Sequence, residues 1–262
     1  SCRHLCSSRL LGTDAAKGYG TVNYGPEDLA RDFSLNEEQL RLFSRYLAYL
    51  QEWNRKFNLT SIVEPAEVYL KHFHDSLTLS YLFPDAGPED LLDIGTGAGF
   101  PGIPLKILYP HMRLTLLDAN KKRTLFLREV VDGLNFRHCL VLHGRAEDYA
   151  CKSEYRERFF LVTARAVARL PVLVEYALPY CRMGGLFVAM KGRYDDEEWR
   201  EAKYASSLLG GEEEGYLSFQ LPLHAGERTL YRIRKRFPTP QKYPRRAGVP
   251  EKKPLPPPST AD

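Results

Sequence analysis

The sequence predicts an α/β protein built on a mostly parallel sheet, with a helical layer before the sheet and an antiparallel hairpin after it. Three observations predict this. From residue 90 onward, short apolar runs alternate with helical patterns: LLDI, RLTLLD, CLVLHG, FFLVTA and GLFVAMKG. Runs of this kind suit parallel strands covered on both faces. YLSFQLPL and RTLYRIRK then follow each other with no helix between them, which reads as a hairpin. Ahead of residue 90 the spacing of apolar residues is helical throughout.

Taken in order, residues 1–33 show no sustained periodicity and are expected to be a loosely ordered lead-in. Ser34 with Glu37 three residues later predicts a capping box. The helix it opens carries Leu40, Phe43, Tyr46, Leu47 and Leu50 on one face. A second helix is expected from Pro65, a favoured first-turn residue. These two make a helical extension over 34–84. A Rossmann-like domain follows over 85–237, with helices expected at Ile103–Leu108 and from Asn120 to about Val131. Prolines at 238, 240, 244, 250, 254 and 256–258 predict an extended, basic tail over 238–262.

Composition narrows the class. An apolar fraction of 44% and a charged fraction of 27% are those of an ordinary globular chain. No apolar run reaches the roughly 18–20 residues of a membrane span. The first ten residues, SCRHLCSSRL, lack an apolar signal core, so a cytoplasmic protein is expected. The five cysteines form no C-x-x-C pair, and Cys2, His4 and Cys6 have no second half nearby, so no metal site is expected. Net charge is +4, but the segment from Arg228 to Lys253 carries ten basic residues against Glu251 alone. It is thus +9, and the remainder −5. Such a strip predicts a polyanionic partner.

The chemistry concentrates in LLDIGTGAGFPGIPLKI, residues 91–107. Gly95, Gly97 and Gly99 let a ligand approach the backbone after Asp93. Gly97, Gly99 and Gly102 also satisfy G-x-G-x-x-G, so a dinucleotide enzyme competes. Asp118, at the end of the second strand, can accept from ribose hydroxyls in either case. Two features favour S-adenosylmethionine over a dinucleotide. Pro101 and Pro104 make a poor phosphate cradle, and Glu147, after the third strand, stands where an adenine amino group would be recognised.

DIGTGAGFPGIPLKI, LLDANKKRTLFL, HGRAED, TARAVARL and AMKG, in that order, resemble the 16S ribosomal RNA methyltransferase G family, also called glucose-inhibited division protein B. KFNLTSI, KHFHDSL and PRRAGVPEKKPL resemble its flanking signatures, so the likeness spans about residues 35–255. The resemblance implies a class I S-adenosylmethionine-dependent fold and methyl transfer to N7 of one guanine in small-subunit rRNA. It implies cofactor contacts at Gly95, Thr96, Gly97, Gly99, Phe100, Asp118, Ala146, Glu147 and Arg165. Phe100 is expected to act mainly by packing.

RNA contacts are expected from His72, Asp75, Lys191, Arg245 and Arg246, with 16S rRNA or the small subunit as partner and the enzyme a monomer. Guanine N7 has a lone pair and no proton, so no general base is expected. The rivals are an oxidoreductase, a small-molecule or protein methyltransferase on this fold, and a non-catalytic RNA-binding module.

Overall fold

The structure, a computed structural model, describes residues 23–165 and 168–255. Its first element corrects the expected lead-in. Pro26–Phe33 forms helix α1, with proline in the first turn and Glu27 and Asp28 at its positive end. Ser34 does not open the next helix but closes this one, in the left-handed conformation at φ 53°. The capping box lies two residues further on. Asn36 Oδ1 accepts from the Gln39 N–H, and the Asn36 N–H donates to Gln39 Oε1, each at 2.9 Å. Helix α2 therefore runs Glu37–Phe57.

Helix α3 (Pro65–Val68) begins at Pro65 as expected, then passes through a π-helical turn, Tyr69–His74, into α4 (Asp75–Leu77). The Rossmann-like part follows as β1 (Asp90–Ile94), α5 (Gly102–Leu108), β2 (Arg113–Asp118), α6 (Lys121–Gly133), β3 (Cys139–His143), α7 (Ala146–Tyr149), β4 (Phe159–Arg165), α8 (Leu170–Ala177) and β5 (Cys181–Lys191). Helix α9 (Asp196–Leu208), β6 (Gly211–Gln220), β7 (Glu227–Lys235) and α10 (Val249–Lys252) follow, and single 3-10 turns occur at Thr78–Leu82, Leu178–Tyr180 and Pro222–His224.

The strands form one sheet in the order β3-β2-β1-β4-β5-β7-β6. β7 runs antiparallel to both neighbours, so the terminal hairpin is present. Parallel pairing joins β1 to β2 on one side and to β4 on the other. Strand order reverses between β1 and β4, and ligands bind at such a reversal, beyond the carboxyl ends of the strands.

Both faces of the sheet are buried. On one, Leu29 of α1, Phe43, Tyr46 and Leu50 of α2, and Phe73 of the π turn pack with Leu91, Leu114 and Leu116. The N-terminal helices thus share a core with the sheet. On the other face, α8 and α9 contribute Leu173, Val174, Trp199 and Ala202 against Leu92, Val162 and Phe187.

Residues 238–255 run without strands, broken only by the short helix α10, and they are fastened down as a strap. Arg156 donates to the carbonyl oxygens of Thr239 (2.8 Å) and Tyr243 (2.9 Å). Arg245 grips Glu175 of α8 at 2.6 Å, and Tyr243 and Leu255 bury in the second core. Prolines cannot join a sheet ladder, so side chains satisfy the strap's backbone instead.

Candidate active site

The glycine turn after β1 is held from below. The Gly95 N–H donates to the Leu117 carbonyl at 2.8 Å, tying the turn to β2. Asp93 is fully buried, and its Oδ2 accepts from Thr96 Oγ1 (2.7 Å) and the Gly102 N–H (2.9 Å). Its Oδ1 has no partner among the described residues. Burial pushes its pKa up to about 8, while the Thr96 and Gly102 bonds pull the other way. Gly97 has φ +62°, and a Cβ there would meet nothing within 4 Å, so its open face fronts the cleft. Gly99 is different. A Cβ there would lie 2.6 Å from the Tyr46 hydroxyl and 2.5 Å from Ile103. Its missing side chain makes room for Tyr46 of α2 and for Ile103.

Asp118 closes the turn from β2. Its Oδ2 accepts from the Gly97 N–H and its Oδ1 from the Asn120 N–H, both at 2.8 Å. Each oxygen keeps a lone pair for a further donor. Glu147, in the single turn of α7, is buried, and its Oε1 accepts from the Gly248 N–H of the strap at 2.8 Å. The neighbouring Ala146 carbonyl is held by the buried Tyr180 hydroxyl.

On the far side of the turn, Arg165 ends β4. One nitrogen lies 3.3 Å from Asp75 Oδ2 and another 3.2 Å from His72 Nδ1. The guanidinium sits 5.0 Å from the centre of the Phe100 ring. The His72 ring also stacks on Phe100, at 4.4 Å and 17°. Arginine can only donate, so Nδ1 accepts and Nε2–H faces Thr60 Oγ1 at 3.0 Å. Burial first, then the Arg165 charge, push the His72 pKa down to about 3. Asp75 is paired twice, because Arg228 Nε also reaches its Oδ1 at 2.9 Å.

These groups line three adjoining cavities. The first, about 130 Å³, lies between Ile94, Asp118, Ala146, Glu147, Tyr176 and Glu251. The second, about 470 Å³, is bounded by Thr60, His72, Thr96, Gly97, Phe100 and Arg165. Gly95, Asp118 and Ala119 border both. The third, about 260 Å³, lies beyond His72 and Arg165 and is lined by Ile62, Lys71, Asp75, Met190, Lys191 and Arg228.

Every expected cofactor residue but Gly99 therefore borders one cleft. The expected RNA contacts fare unevenly. His72, Asp75 and Lys191 border the third cavity, though Lys191 Nζ is bound to the Ala168 carbonyl (2.9 Å) and Glu198 (3.1 Å). Arg245 is bound to Glu175, an acid buried in the second core's helix, and so anchors the strap. Arg246 is exposed. Tyr176, Glu251, Thr60 and Arg228 were not expected in the site. Arg228 lies 153 positions from Asp75, and no local spacing signals that pair. The Cys2, His4 and Cys6 reading lies outside the described residues, among which no cluster of metal-ligating side chains occurs.

A reversed-order sheet with a glycine turn, two strand-end acids and cavities at its carboxyl edge has the architecture of a class I methyltransferase. The O-methyltransferase from Bacillus cereus in complex with SAH shares this fold, with a TM-score of 0.51 and 19% identity over 73% of this chain and 91% of its own. The family model for rRNA small subunit methyltransferase G matches residues 39–230. Ribosomal RNA small subunit methyltransferase G from an Exiguobacterium species is 47% identical over 86% of this chain and 95% of its own length. The protein of the same name from Staphylococcus aureus (strain Newman) is 46% identical over 90% and 98% respectively. The chain belongs to the rRNA small subunit methyltransferase G family.

Proposed function

We propose that the protein transfers a methyl group from S-adenosylmethionine to N7 of one guanine in 16S rRNA. The bound donor supplies an electrophilic methyl on a sulfonium. Residues of this chain fit it. Glu147 Oε2 is free for an adenine amino group beside the first cavity, Asp118 offers lone pairs to ribose hydroxyls, and Gly97 leaves an open face on the second cavity.

The observation that carries the N7 assignment is that the titratable groups bordering the third cavity are all committed. Asp75 is ion-paired to two arginines, His72 is held neutral by burial and Arg165, Lys71 pairs with Glu67 at 2.7 Å, and Lys191 pairs with Glu198. A nucleophile that must lose a proton finds no base there. Guanine N7 needs none, because its lone pair already lies in the ring plane. The chain's task is then alignment, which is where most of the rate would come from. N7 lies in the deep major groove of A-form RNA, so the guanine must be unpaired or swung out to enter.

This reading makes 16S rRNA or the small subunit the partner, the cytoplasm the compartment and a monomer the working unit. It is tested by transfer of radiolabelled methyl into unmodified small-subunit particles, followed by alkaline scission at N7-methylguanine. One cleaved guanine is the expected outcome. Label without scission would move the methyl to another atom, and absence of label would reject the substrate.

A further inference from the structure

The strip that predicted a polyanionic partner is largely consumed inside the fold. Arg228, Arg234, Lys235, Arg236 and Arg245 pair with Asp75, Glu214, Glu157, Glu212 and Glu175, and Arg232 donates to the Glu214 carbonyl. Six of its ten cations therefore cannot meet phosphates without breaking internal contacts. A second basic surface is less committed, with Lys56 paired to Glu52 and Arg123 3.8 Å from Asp118 but its other cations unpaired among the described residues, and it lies at the mouth of the second cavity.

The last turn of α2 ends in Arg55, Lys56 and Phe57, all exposed. The first turn of α6 carries Lys121 and Lys122, exposed, and Arg123, which lines the second cavity. The two turns touch, with Lys122 Nζ 5.4 Å from the centre of the Phe57 ring. The loop leaving Phe57 supplies Leu59 and Thr60 to the wall of the same cavity. Lys56 has one acid, Glu52 at 3.2 Å, while Arg55, Lys121 and Lys122 have no ion-pair partner among the described residues. The α6 turn contains no acid. Cations at a helix's positive end disfavour the helix, so Lys121 and Lys122 do not serve the fold, whereas Arg55 lies at the carboxyl end of α2, where its charge is tolerated. Phe57 is 41% exposed and Leu125, one turn along α6, 46%. Uncommitted cations around an exposed aromatic ring suit single-stranded nucleic acid, whose phosphates and bases need those two chemistries.

Resting on the methyltransferase reading, we infer that the α2–α6 surface is where single-stranded rRNA flanking the target guanine lands. Arg55, Lys121 and Lys122 hold phosphates, and Phe57 stacks an unpaired base. The strap is not the main RNA contact.

The test is binding of unmodified 16S rRNA between 50 and 200 mM salt, with cofactor affinity measured in parallel. Combined Arg55→Ala, Lys121→Ala and Lys122→Ala should flatten the log–log salt slope by about two, since each single-strand contact contributes about 0.7. Phe57→Ala should weaken binding about tenfold at unchanged slope. Cofactor affinity should stay at wild type in both, and the Arg55→Lys, Lys121→Arg, Lys122→Arg variant should keep the slope. If the triple alanine variant keeps the wild-type slope while Arg246→Ala, Lys252→Ala, Lys253→Ala flattens it, the strap is the landing surface and the inference fails. If wild type neither binds nor methylates rRNA, the function reading falls and the inference with it.

Discussion

Asp75 shows how closely the site's charges are balanced. It is buried and shared by Arg165 and Arg228, so Asp75→Ala strands two guanidinium groups near the third cavity. Stability should fall by about 3–5 kcal/mol, read from urea unfolding. His72 makes a pH prediction. Its folded pKa of about 3 lies below the unfolded value near 6.5. Between those values the unfolded chain binds the extra proton, so His72 contributes stability at neutral pH that is lost as pH falls from about 6.5 toward 3. His72→Phe keeps a ring on Phe100, and its urea midpoint should vary less with pH across 4 to 6 than wild type. Gly97→Ala separates folding from binding. The left-handed backbone costs about 1–2 kcal/mol with a Cβ, and nothing clashes inside the protein. The methyl enters the cleft, so the donor's KM should rise tenfold or more while the fold persists.

At the scale of elements, the strap is a wall of the cofactor site as well as a terminal segment. Gly248 fixes Glu147, Glu251 lines the first cavity, and Arg245 ties both to α8. Arg245→Ala should therefore weaken S-adenosylmethionine binding at a distance, measured by calorimetry. An unchanged Kd would show that the strap stays docked without this anchor. The elements differ in how openly the sequence declares them. The parallel strands were legible because each holds a short apolar run bounded by turns, and Asp118 followed from its strand end; β6 was legible only in part, since Gly211–Gly215 carries three glutamates and no apolar run. The first helix cap was misplaced because Ser34–Glu37 and Asn36–Gln39 offer the same chemistry two residues apart. α1 was missed because a helix of 8 residues carries too little periodicity to show. The strap's prolines announce extension but say nothing of Arg156, over 80 positions away, which holds it. The cluster of His72, Asp75, Arg165 and Arg228 was invisible as a unit, since tertiary packing alone assembles it.

Across the whole molecule, α1 and α2 cover one face of the sheet, with Leu29, Phe43 and Tyr46 fully buried. A chain starting after residue 57 should therefore lose fixed packing, with near-UV circular dichroism diminished and a hydrophobic dye bound. A native near-UV spectrum would mean that the helices are separable. The strap carries a further consequence, for the order of events in synthesis. Chains emerge from the ribosome N-terminus first, so all seven strands are laid down before Gly248 and Glu251 appear. Until then the first cavity lacks a wall and Glu147 its amide partner. A member of an rRNA methyltransferase family thus has a cofactor pocket that stays unfinished while its own ribosome is still extending the chain toward the strap.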